Sequence, residues 1–412
     1  MAAHRTTVLQ IIPTLDTGGA ELSTVEIAAA VVAAGGRAIV ASEGGRLAER
    51  IVASGGEFVP FPAGTKNPLR MIANAGRLAG LIVAEQVDLV HARSRAPAWS
   101  ALMAARRTKR PFVTTYHGAY NEGGRFKRAY NRVMASGDLV IANSAYTADL
   151  VKSRYGTPAD RLRIIHRGVD ETLFDRSTLA SGRIDRLREG WGLTEGVPVI
   201  LQAARLTRWK GQTILIEALA RLAREAPSLS WTAVLAGDDQ GRAGYRAELE
   251  TLIRRLGLAG RVVLPGHADD MPAAFALASV AVIGSVEPEA FGRTSIEAQR
   301  MGCPVIATRL GAPPETVLSA PEVASTARTG WLVTPGDTDA LARALNEALT
   351  LGGDERRALA ERAAHHAGTR FTLDAMRRAT LAVYDELLST SLAGTFDAAR
   401  ASGSHAGVTN QG

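Results

Sequence analysis

Residues 279–301 read SVAVIGSVEPEAFGRTSIEAQRM, and this stretch contains a strand, a loop and a helix in succession. The apolar run 279–283 predicts a buried strand, because it is short, continuous and bounded by polar residues. Residues 284–292 contain glycine, proline and acidic residues and are typical of a loop, whereas residues 294–301 predict a helix. The stretch therefore predicts a strand-to-helix unit of a parallel α/β fold.

Two glutamates frame the predicted loop. Glu289 and Glu297 are separated by seven residues, and Glu297 lies one turn into the predicted helix. Backbone N–H groups at a helix start, together with the positive end of the helix dipole, favour a bound diphosphate. The spacing predicts that Glu297 reaches a ribose diol and that Glu289 meets a hexose. The alternative is a solvated acidic loop before a surface helix, and the E-x7-E spacing alone does not decide between the two.

The same alternation of β-branched runs and helical patterns extends along the whole chain, as in parallel α/β proteins. The predicted strands of the first half are residues 7–12, 38–41, 58–61, 88–91, 112–116, 139–143 and 163–165. Those of the second half are residues 197–203, 231–237, 262–265, 279–283, 305–308 and 331–333. The fold class is therefore predicted to be α/β, with two doubly wound Rossmann-like domains facing across a cleft, where ligands bind beyond the strand ends.

The length of 412 residues is too great for one ordinary core and supports two domains. We expect an amino-terminal acceptor-side domain, a hinge, a donor domain, a helix that packs back on the first domain, and a disordered tail rich in small residues. Their predicted boundaries are 1–170, 171–192, 193–370, 371–390 and 391–412.

Composition narrows the class of protein. The hydrophobic content is 46% and the charged content 22%, as in soluble globular proteins. The single cysteine, Cys303, excludes an internal disulfide framework and is expected to be a packed structural thiol. The amino terminus predicts no signal peptide, and no stretch is long and apolar enough to span a bilayer. We therefore expect a cytoplasmic protein, with peripheral attachment to the inner face of the cytoplasmic membrane as a further expectation.

The net charge of +7 is concentrated in one segment, residues 91–132, in which Glu122 is the only acid. This asymmetry predicts an anionic membrane surface or a phosphorylated acceptor as partner, with an ordinary solvated face as the alternative. Nucleic acid is not expected, because no helix-turn-helix, zinc-ligand or aromatic RNA-binding signature accompanies the charge. The basic residues are Arg93, Arg95, Arg106, Arg107, Lys109, Arg110, Arg125, Lys127, Arg128 and Arg132.

Three further loops follow predicted strands. Gly18 and Gly19 follow the first strand, where paired glycines allow a ligand to approach the backbone closely. Arg205 and Lys210 follow the first strand of the second domain, where a guanidinium and an ammonium group can hold a diphosphate. His117 follows the strand 112–116 and is a candidate for orienting sugar and acceptor hydroxyls, although a lone histidine is more often structural.

Two acidic pairs suggest metal ligands but have simpler explanations. Asp337 and Asp339 follow a Pro-Gly pair and open a helical run, so helix capping accounts for them better. Asp238 and Asp239 follow a strand and are expected to form a surface turn. No metal site is therefore predicted.

Taken together, these motifs resemble those of the retaining GT-B glycosyltransferases of family 4. The resemblance covers most of the chain, and the order and spacing of the motifs are more specific than any one of them. The matching segments are Gly-Gly-Ala-Glu from Gly18, Thr-Tyr-His-Gly around His117, Asn143-Ser144, Gly168-Val169-Asp170, Arg205 with Lys210-Gly211, the E-x7-E segment, Gly330-Trp331-Leu332-Val333 and Pro335-Gly336-Asp337.

The resemblance implies roles for individual residues. Arg205 and Lys210 would bind the donor diphosphate, Glu289 the transferred sugar and Glu297 the ribose. His117, Glu289, Arg205 and Lys210 are the residues with implied catalytic roles. The remaining donor-binding positions are Gly18, Gly19, Phe291, Gly292, Arg293 and Thr294.

The resemblance further implies transfer of a hexose from a nucleoside-diphosphate sugar to a glycan or glycolipid hydroxyl. We expect retention of anomeric configuration, no metal and no other cofactor, and a role in envelope polysaccharide or lipopolysaccharide biosynthesis. Arg293 and the segment 311–315 depart from the commoner family pattern, so donor or acceptor preference is expected to differ.

Two alternatives from other classes remain at this stage. A nicotinamide-dependent oxidoreductase would also have two α/β domains, but the G-x-G-x-x-G fingerprint is absent. A non-catalytic peripheral membrane or polyanion-binding protein would explain the basic segment, but not the association of Arg205, Lys210, Glu289 and Glu297 with strand ends.

Overall fold

A computed structural model describes residues 5–16, 18–120, 123–241 and 243–406, with side chains as far as Ser402. The chain divides into two compact units. The N-unit consists of Met1–Arg167 together with Asp374–Gly412, and the C-unit consists of Gly168–Leu373.

A sheet of seven parallel strands forms the centre of the N-unit, in the order β3-β2-β1-β4-β5-β6-β7. The strands are almost wholly apolar in the middle of the sheet, because helices cover both of its faces. Their bounds are β1 Thr7–Ile11, β2 Arg37–Ser42, β3 Glu57–Pro60, β4 Leu89–Ala92, β5 Phe112–Tyr116, β6 Leu139–Ala142 and β7 Leu162–Ile164.

Helices connect successive strands of this sheet, and two more return to it from the end of the chain. The connecting helices are α1 Gly19–Ala33, α2 Ala48–Ala53, α3 Pro68–Ala84, α4 Arg95–Thr108, α5 Arg125–Asn131 and α6 Ala145–Tyr155, with 3-10 turns at Arg132–Ala135 and Ala159–Arg161.

A second parallel sheet, of six strands, forms the centre of the C-unit, in the order β10-β9-β8-β11-β12-β13. Its core contains large apolar side chains such as Trp231, Phe275 and Ile296. The strands are β8 Val199–Ala203, β9 Thr232–Ala236, β10 Val262–Gly266, β11 Val280–Ile283, β12 Val305–Thr308 and β13 Gly330–Val333.

Helices cover this sheet as well. They are α7 Ser181–Gly190, α8 Gln212–Glu225, α9 Ala243–Arg255, α10 Met271–Leu277, α11 Arg293–Arg300, α12 Pro313–Thr316, α13 Thr338–Thr350 and α14 Gly353–Arg370, with 3-10 turns at Arg208–Lys210 and Ser325–Ala327. The predicted α/β class with two doubly wound parallel sheets is confirmed, since a strand lies in each of the thirteen predicted runs.

The end of the chain differs from the prediction. Helix α15 spans Leu373–Leu388, and a further helix, α16, spans Leu392–Ala406, so a disordered tail from residue 391 was the wrong expectation for residues 392–406. Leu392 and Phe396 are buried, and the Asp385 carboxylate accepts hydrogen bonds from the backbone N–H groups of Leu392 (2.7 Å) and Ala393 (2.9 Å). Burial and capping thus stabilise a helix whose small polar residues favour disorder. Residues 407–412 lie outside the described part.

The predicted hinge, residues 171–192, contains helix α7 and belongs to the C-unit. Arg183 of α7 forms a two-bond ion pair with Asp270, at 2.7 and 2.8 Å. The division between units falls earlier, after Arg167, and a second time after Leu373. Close to these two division points, Val169 and Thr372 form an isolated parallel β-bridge.

Cys303 is buried, and this burial raises its thiol pKa to about 12, as expected for a structural thiol. None of the described helices is both long and apolar enough to cross a membrane.

Candidate functional site

The predicted donor residues of the C-unit gather at the carboxyl ends of β8 and β11. Lys210, Ser285, Glu289, Gly292 and Thr294 are among the residues that line a small cavity of about 20 Å³ there. In a parallel α/β sheet this edge is where ligands bind, because the strand-to-helix loops meet there. We call these five residues the strand-end cluster.

Lys210 and Glu289 form an ion pair through Nζ and Oε1. The Ser285 hydroxyl donates a 2.6 Å hydrogen bond to the same carboxylate oxygen. Glu289 is only 7% exposed, so both partners are needed to compensate for removing the carboxylate from water. The prediction separated a phosphate-binding lysine from a sugar-binding glutamate, and the structure brings the two into direct contact.

A glycine turn positions Lys210. Gly211 has a φ of +72°, and a Cβ atom there would lie 2.0 Å from the carbonyl oxygen of Gly284. The turn therefore packs against the loop after β11 at a distance that only glycine permits. Gln202, in β8, fixes the same turn by donating a 2.7 Å hydrogen bond from Nε2 to the Lys210 carbonyl.

A second glycine positions Glu289. Gly311, with a φ of +86°, forms a parallel bridge with Glu289, and its Cβ position lies 2.2 Å from the Glu289 carbonyl oxygen. Two backbone hydrogen bonds flank this bridge. The Glu289 N–H donates to the Leu310 carbonyl at 3.3 Å, and the Ala312 N–H donates to the Glu289 carbonyl at 2.9 Å. The segment 311–315 departs from the family pattern, but its first residue is the glycine that this close approach to Glu289 requires.

Helix α11 begins at this cluster, one residue earlier than predicted. Gly292 precedes it with a φ of +80°, and no side chain caps its N-terminus. The first-turn N–H groups and the positive dipole end thus lie beside the Lys210 ammonium group, an arrangement that favours an anion. Arg293 donates to Glu297 at 3.2 Å, one turn further along the same helix.

Two predicted donor residues have surroundings that differ from the prediction. Phe291 is 3% exposed and packs edge-on against Phe371 at a centroid distance of 5.8 Å, so its side chain belongs to the core and only its backbone is placed for binding. Arg205 is exposed and donates to Gln240 at 3.4 Å, and it does not line the small cavity beside Lys210.

The N-unit contains the remaining predicted residues, Gly18, Gly19 and His117. Gly18 precedes helix α1 without a side-chain cap, and Gly19 is its first residue. Thr17, next to them in the motif, lies outside the described residues. Nothing in the N-unit by itself tests whether this turn contacts a donor.

His117 is in contact with a residue that the sequence analysis did not single out. A guanidinium N–H of Arg167 donates to Nδ1 of His117, and Nε2 is buried without a hydrogen-bond partner within the described structure. Burial, and after it the charge of Arg167, holds the pKa of His117 well below its usual value. Because arginine can only donate, the neutral ring carries its proton on Nε2. His117 is therefore arranged as a hydrogen-bond donor with one unused N–H.

The basic segment 91–132 is not a single surface. Arg93 is 2% exposed and donates to the hydroxyls of Ser23 at 2.7 Å and Thr24 at 3.3 Å. Burial lowers the Arg93 pKa to about 10. Helix α5 and the turn after it have exposed basic residues, namely Arg125, Lys127, Arg128 and Arg132. The aromatic side chain of Phe126, which lies between Arg125 and Lys127 in the sequence, is 94% exposed. Glu122 lies outside the described residues.

The acidic pairs behave as the capping and turn explanations predict. The Asp337 carboxylate caps helix α13 by accepting from the N–H groups of Asp339 and Ala340, at 3.0 and 2.8 Å. Asp238 accepts from the Gln240 N–H at 2.6 Å within a turn. No group of three potential metal-binding side chains occurs among the described residues.

Sequence reasoning missed four residues that organise these sites: Gln202, Ser285, Gly311 and Arg167. Ser285 lies two residues after the end of the predicted strand 279–283, so its position near a strand end was a usable signal. Gln202 lies inside a predicted strand, and nothing in the local sequence distinguishes it from a core residue. Arg167 precedes the recognised Gly168-Val169-Asp170 segment, but its contact with His117 joins residues 50 positions apart.

Comparison with known proteins agrees with this geometry. The sequence model of Glycosyltransferase Family 4 matches residues 17–173, and that of Glycosyl transferases group 1 matches residues 183–366. A GDP-mannose-dependent α-(1-6)-phosphatidylinositol monomannoside mannosyltransferase of Mycolicibacterium smegmatis is 31% identical over 299 residues, which make up 69% of this chain and 72% of that protein. Other relatives, named D-inositol 3-phosphate glycosyltransferases, are matched over as little as 54% of their own length.

Solved structures show the same fold. A glycosyltransferase from Rickettsia africae has a TM-score of 0.85 and 33% identity, covering 94% of this chain and 100% of that one. HepE from Anabaena, solved with UDP and glucose, has a TM-score of 0.79 and 26% identity, covering 93% of this chain and 100% of that one. The two matched family models and these relatives together show that the chain belongs to the GT-B glycosyltransferases.

Proposed function

We propose that this glycosyltransferase moves a hexose from a nucleoside-diphosphate sugar to a hydroxyl of a glycan or glycolipid, with retention of anomeric configuration and without a metal ion. The strand-end cluster supports this proposal most directly. It combines a cation, a buried carboxylate and an uncapped helix N-terminus around one small cavity. A diphosphate and the sugar attached to it require these three features together.

The names of related proteins support the donor class. One relative is named as GDP-mannose-dependent, and HepE was solved with UDP, with UDP and glucose, and with UDP-glucose. Both donors contain a diphosphate and a hexose, and the strand-end cluster would bind these shared groups.

The reaction breaks the bond between the anomeric carbon and the diphosphate oxygen while the acceptor hydroxyl oxygen forms a new bond to that carbon, and the hydroxyl proton passes to the departing diphosphate oxygen. Negative charge develops on the departing diphosphate, where Lys210 and the N-terminus of α11 stabilise it more in the transition state than in the ground state. In this proposal Arg205 reaches the diphosphate once the donor is bound, and Glu297 holds the ribose. Attack from the face that the diphosphate leaves explains retention without a covalent intermediate on Glu289.

Glu289 then serves recognition of the sugar. Its carboxylate oxygens, which lie beside the Lys210 ammonium group, can accept hydrogen bonds from hexose hydroxyls. His117 supplies a donor from Nε2, complementary to a hydroxyl oxygen of the sugar or acceptor.

We further propose a lipid-linked or membrane-proximal acceptor, as in envelope polysaccharide or lipopolysaccharide biosynthesis, with the enzyme cytoplasmic and peripheral on the inner face of the membrane. Helix α5 supports this part, because its exposed Phe126 lies among exposed arginines and a lysine. A basic helix with an exposed aromatic side chain suits an interface of anionic headgroups and acyl chains.

A thermal-shift panel tests the donor class. The purified protein is heated with UDP, GDP, UDP-glucose, GDP-mannose and, as a control, the nucleoside uridine. We expect one nucleotide series to raise Tm in proportion to the logarithm of its concentration, because a ligand bound only to the folded state stabilises it by mass action. Uridine is expected to have little effect. No shift with any diphosphate at millimolar concentration would contradict the proposal. Addition of EDTA should leave the shift unchanged, and its loss would contradict metal independence.

A further inference from the structure

The C-unit contains a second charged cavity, at the edge of the sheet opposite the strand-end cluster. The cavity has a volume of about 680 Å³ and includes Ser279 and Pro304 in its lining. These residues immediately precede β11 and β12, so the cavity lies at the amino ends of these strands, whereas the cluster lies at the carboxyl ends of β8 and β11. It is therefore separate from the proposed donor site.

Arginines dominate the charged part of this lining. Arg176, Arg300, Arg356 and Arg357 face the cavity, against the two carboxylates of Asp175 and Glu361. Four positive and two negative side chains give the lining a formal net charge of about +2 at neutral pH.

Of the four arginines, Arg357 forms an ion pair with Asp354, whereas the hydrogen bonds of two others go to backbone carbonyls. Arg176 donates to the Met301 carbonyl at 3.0 Å and Arg356 to the Leu349 carbonyl at 3.0 Å, and both acceptors are uncharged. Arg300 lines the cavity as well, although its Nε is covered by neighbouring protein atoms. Within the described residues, Arg176, Arg300 and Arg356 form no ion pair with a carboxylate, which leaves their charge available to a ligand in the cavity.

The rest of the lining is apolar. Ala276, Leu277, Met301 and Ala360 contribute side chains beside the arginines. A volume of about 680 Å³ lies within the range of pockets for small organic molecules, and it is much larger than a single inorganic anion needs. The combination of guanidinium groups with an apolar wall suits a molecule that has both an anionic group and an organic body.

We propose that this cavity is a second ligand site and binds a small phosphorylated metabolite, with the phosphate held by Arg300 together with Arg176 and Arg356. Guanidinium groups match phosphate oxygens with paired hydrogen bonds, and the three arginines line one cavity without carboxylate partners. The site does not depend on the identity of the sugar donor.

Isothermal titration with pyrophosphate as the probe tests the site. The protein carries Arg205→Ala and Lys210→Ala, which weaken the proposed donor site, and the buffer contains 150 mM NaCl to screen weak surface binding. We expect one bound pyrophosphate per chain. Adding Arg300→Gln and Arg356→Gln should weaken this binding tenfold or more. Arg254→Gln is the matched control, because Arg254 is exposed, lies in the same unit outside the cavity, and changes the net charge equally per substitution.

Each outcome decides the proposal. Binding that disappears in the cavity variant and persists in the Arg254→Gln control supports it. Absence of binding in the donor-site variant, or equal weakening by Arg254→Gln, would overturn it. If Arg300→Gln impairs folding, as judged by Tm, the single variant Arg356→Gln provides the same comparison, because Arg356 is partly exposed and its side chain donates to the Leu349 carbonyl. Glucose 6-phosphate and glucose, titrated separately, show whether binding requires the phosphate, and equal affinities for both would contradict the assignment.

Discussion

Lys210 and Glu289, 79 residues apart in the chain, form an ion pair at the carboxyl edge of the C-unit sheet. The Lys210 turn is fixed by Gly211 and Gln202, and Glu289 by Ser285 and Gly311. Each charged side chain is therefore held in position by neighbours other than its ion-pair partner. A donor diphosphate and hexose would meet charges that are already oriented, which lowers the cost of organising them in the transition state.

Ser285→Ala should weaken sugar recognition while the fold is retained. The substitution removes the 2.6 Å hydrogen bond to the buried Glu289 carboxylate. A hydrogen bond to a charged group contributes about 1.5–3 kcal/mol, so we expect kcat/KM to fall roughly tenfold to a hundredfold. Steady-state kinetics with the donor found in the thermal-shift panel measures this. Ser153→Ala, on an exposed position of α6, is the control. Equal kinetics for the two variants would refute the role given to Ser285.

Gly211→Ala should disrupt the donor loop more than a typical glycine substitution does. The new Cβ would lie 2.0 Å from the Gly284 carbonyl oxygen, so the loop must move. Gly257 has nearly the same φ, +70°, but nothing within 4 Å of its Cβ position. Gly257→Ala should therefore show only the left-handed backbone cost of about 1–2 kcal/mol. We expect Gly211→Ala to reduce nucleoside diphosphate affinity at least tenfold beyond Gly257→Ala. Indistinguishable affinities would mean that the close approach is unimportant.

The contact between Arg167 and His117 predicts a change in pH dependence. The lowered pKa keeps His117 neutral at neutral pH, and protonation requires acid well below its usual value of 6.5. Arg167→Met removes one of the causes of this depression, so the His117 pKa should rise while remaining below 6.5, because burial is the larger cause. As the pH decreases, transfer by the variant should therefore begin to fall at a higher pH than transfer by the wild type.

A pH–rate profile of kcat/KM measures the effect, and Arg167→Lys, which keeps a charged donor, serves as the comparison. A merely structural role for Arg167 would lower the rate at all pH values without moving the acid limb. Parallel wild-type and Arg167→Met profiles would therefore contradict the assignment.

Helix α5 should determine membrane attachment. Phe126→Ser removes the 94%-exposed aromatic side chain, and Lys127→Glu reverses a neighbouring charge. We expect the double variant to lose sedimentation with vesicles containing anionic lipid, whereas Arg107→Glu on helix α4 changes it less. Binding by the wild type should also weaken with salt, because surface charges are screened. Wild-type sedimentation that is independent of anionic lipid would leave α5 as a solvated helix.

The fold was predictable because buried parallel strands appear as short apolar runs, and thirteen such runs became the strands of two sheets. Sequence reasoning named four members of the strand-end cluster and missed Ser285, and it did not predict the contacts within the cluster. Pairing of Lys210 with Glu289 depends on the approach of Gly211 to Gly284 and of Gly311 to Glu289, which are backbone contacts between distant segments.

Two other features lay beyond local sequence patterns. Arg93 lies among other basic residues in the sequence, yet it is buried against hydroxyls of helix α1. Helix α16 consists largely of small residues, and it packs against α1 because tertiary contacts outweigh its weak helix propensity.

Binding of the nucleoside diphosphate to wild-type protein and to Lys210→Ala, measured by isothermal titration, tests the proposed donor site most directly. We expect one nucleoside diphosphate, UDP or GDP, to bind the wild type at one site per chain and the folded variant at least tenfold more weakly, because the variant lacks the cation beside the α11 N-terminus. Lys152→Ala, at an exposed position of α6, should bind like the wild type. Equal affinities of wild type and Lys210→Ala for that nucleotide would contradict the proposed donor site.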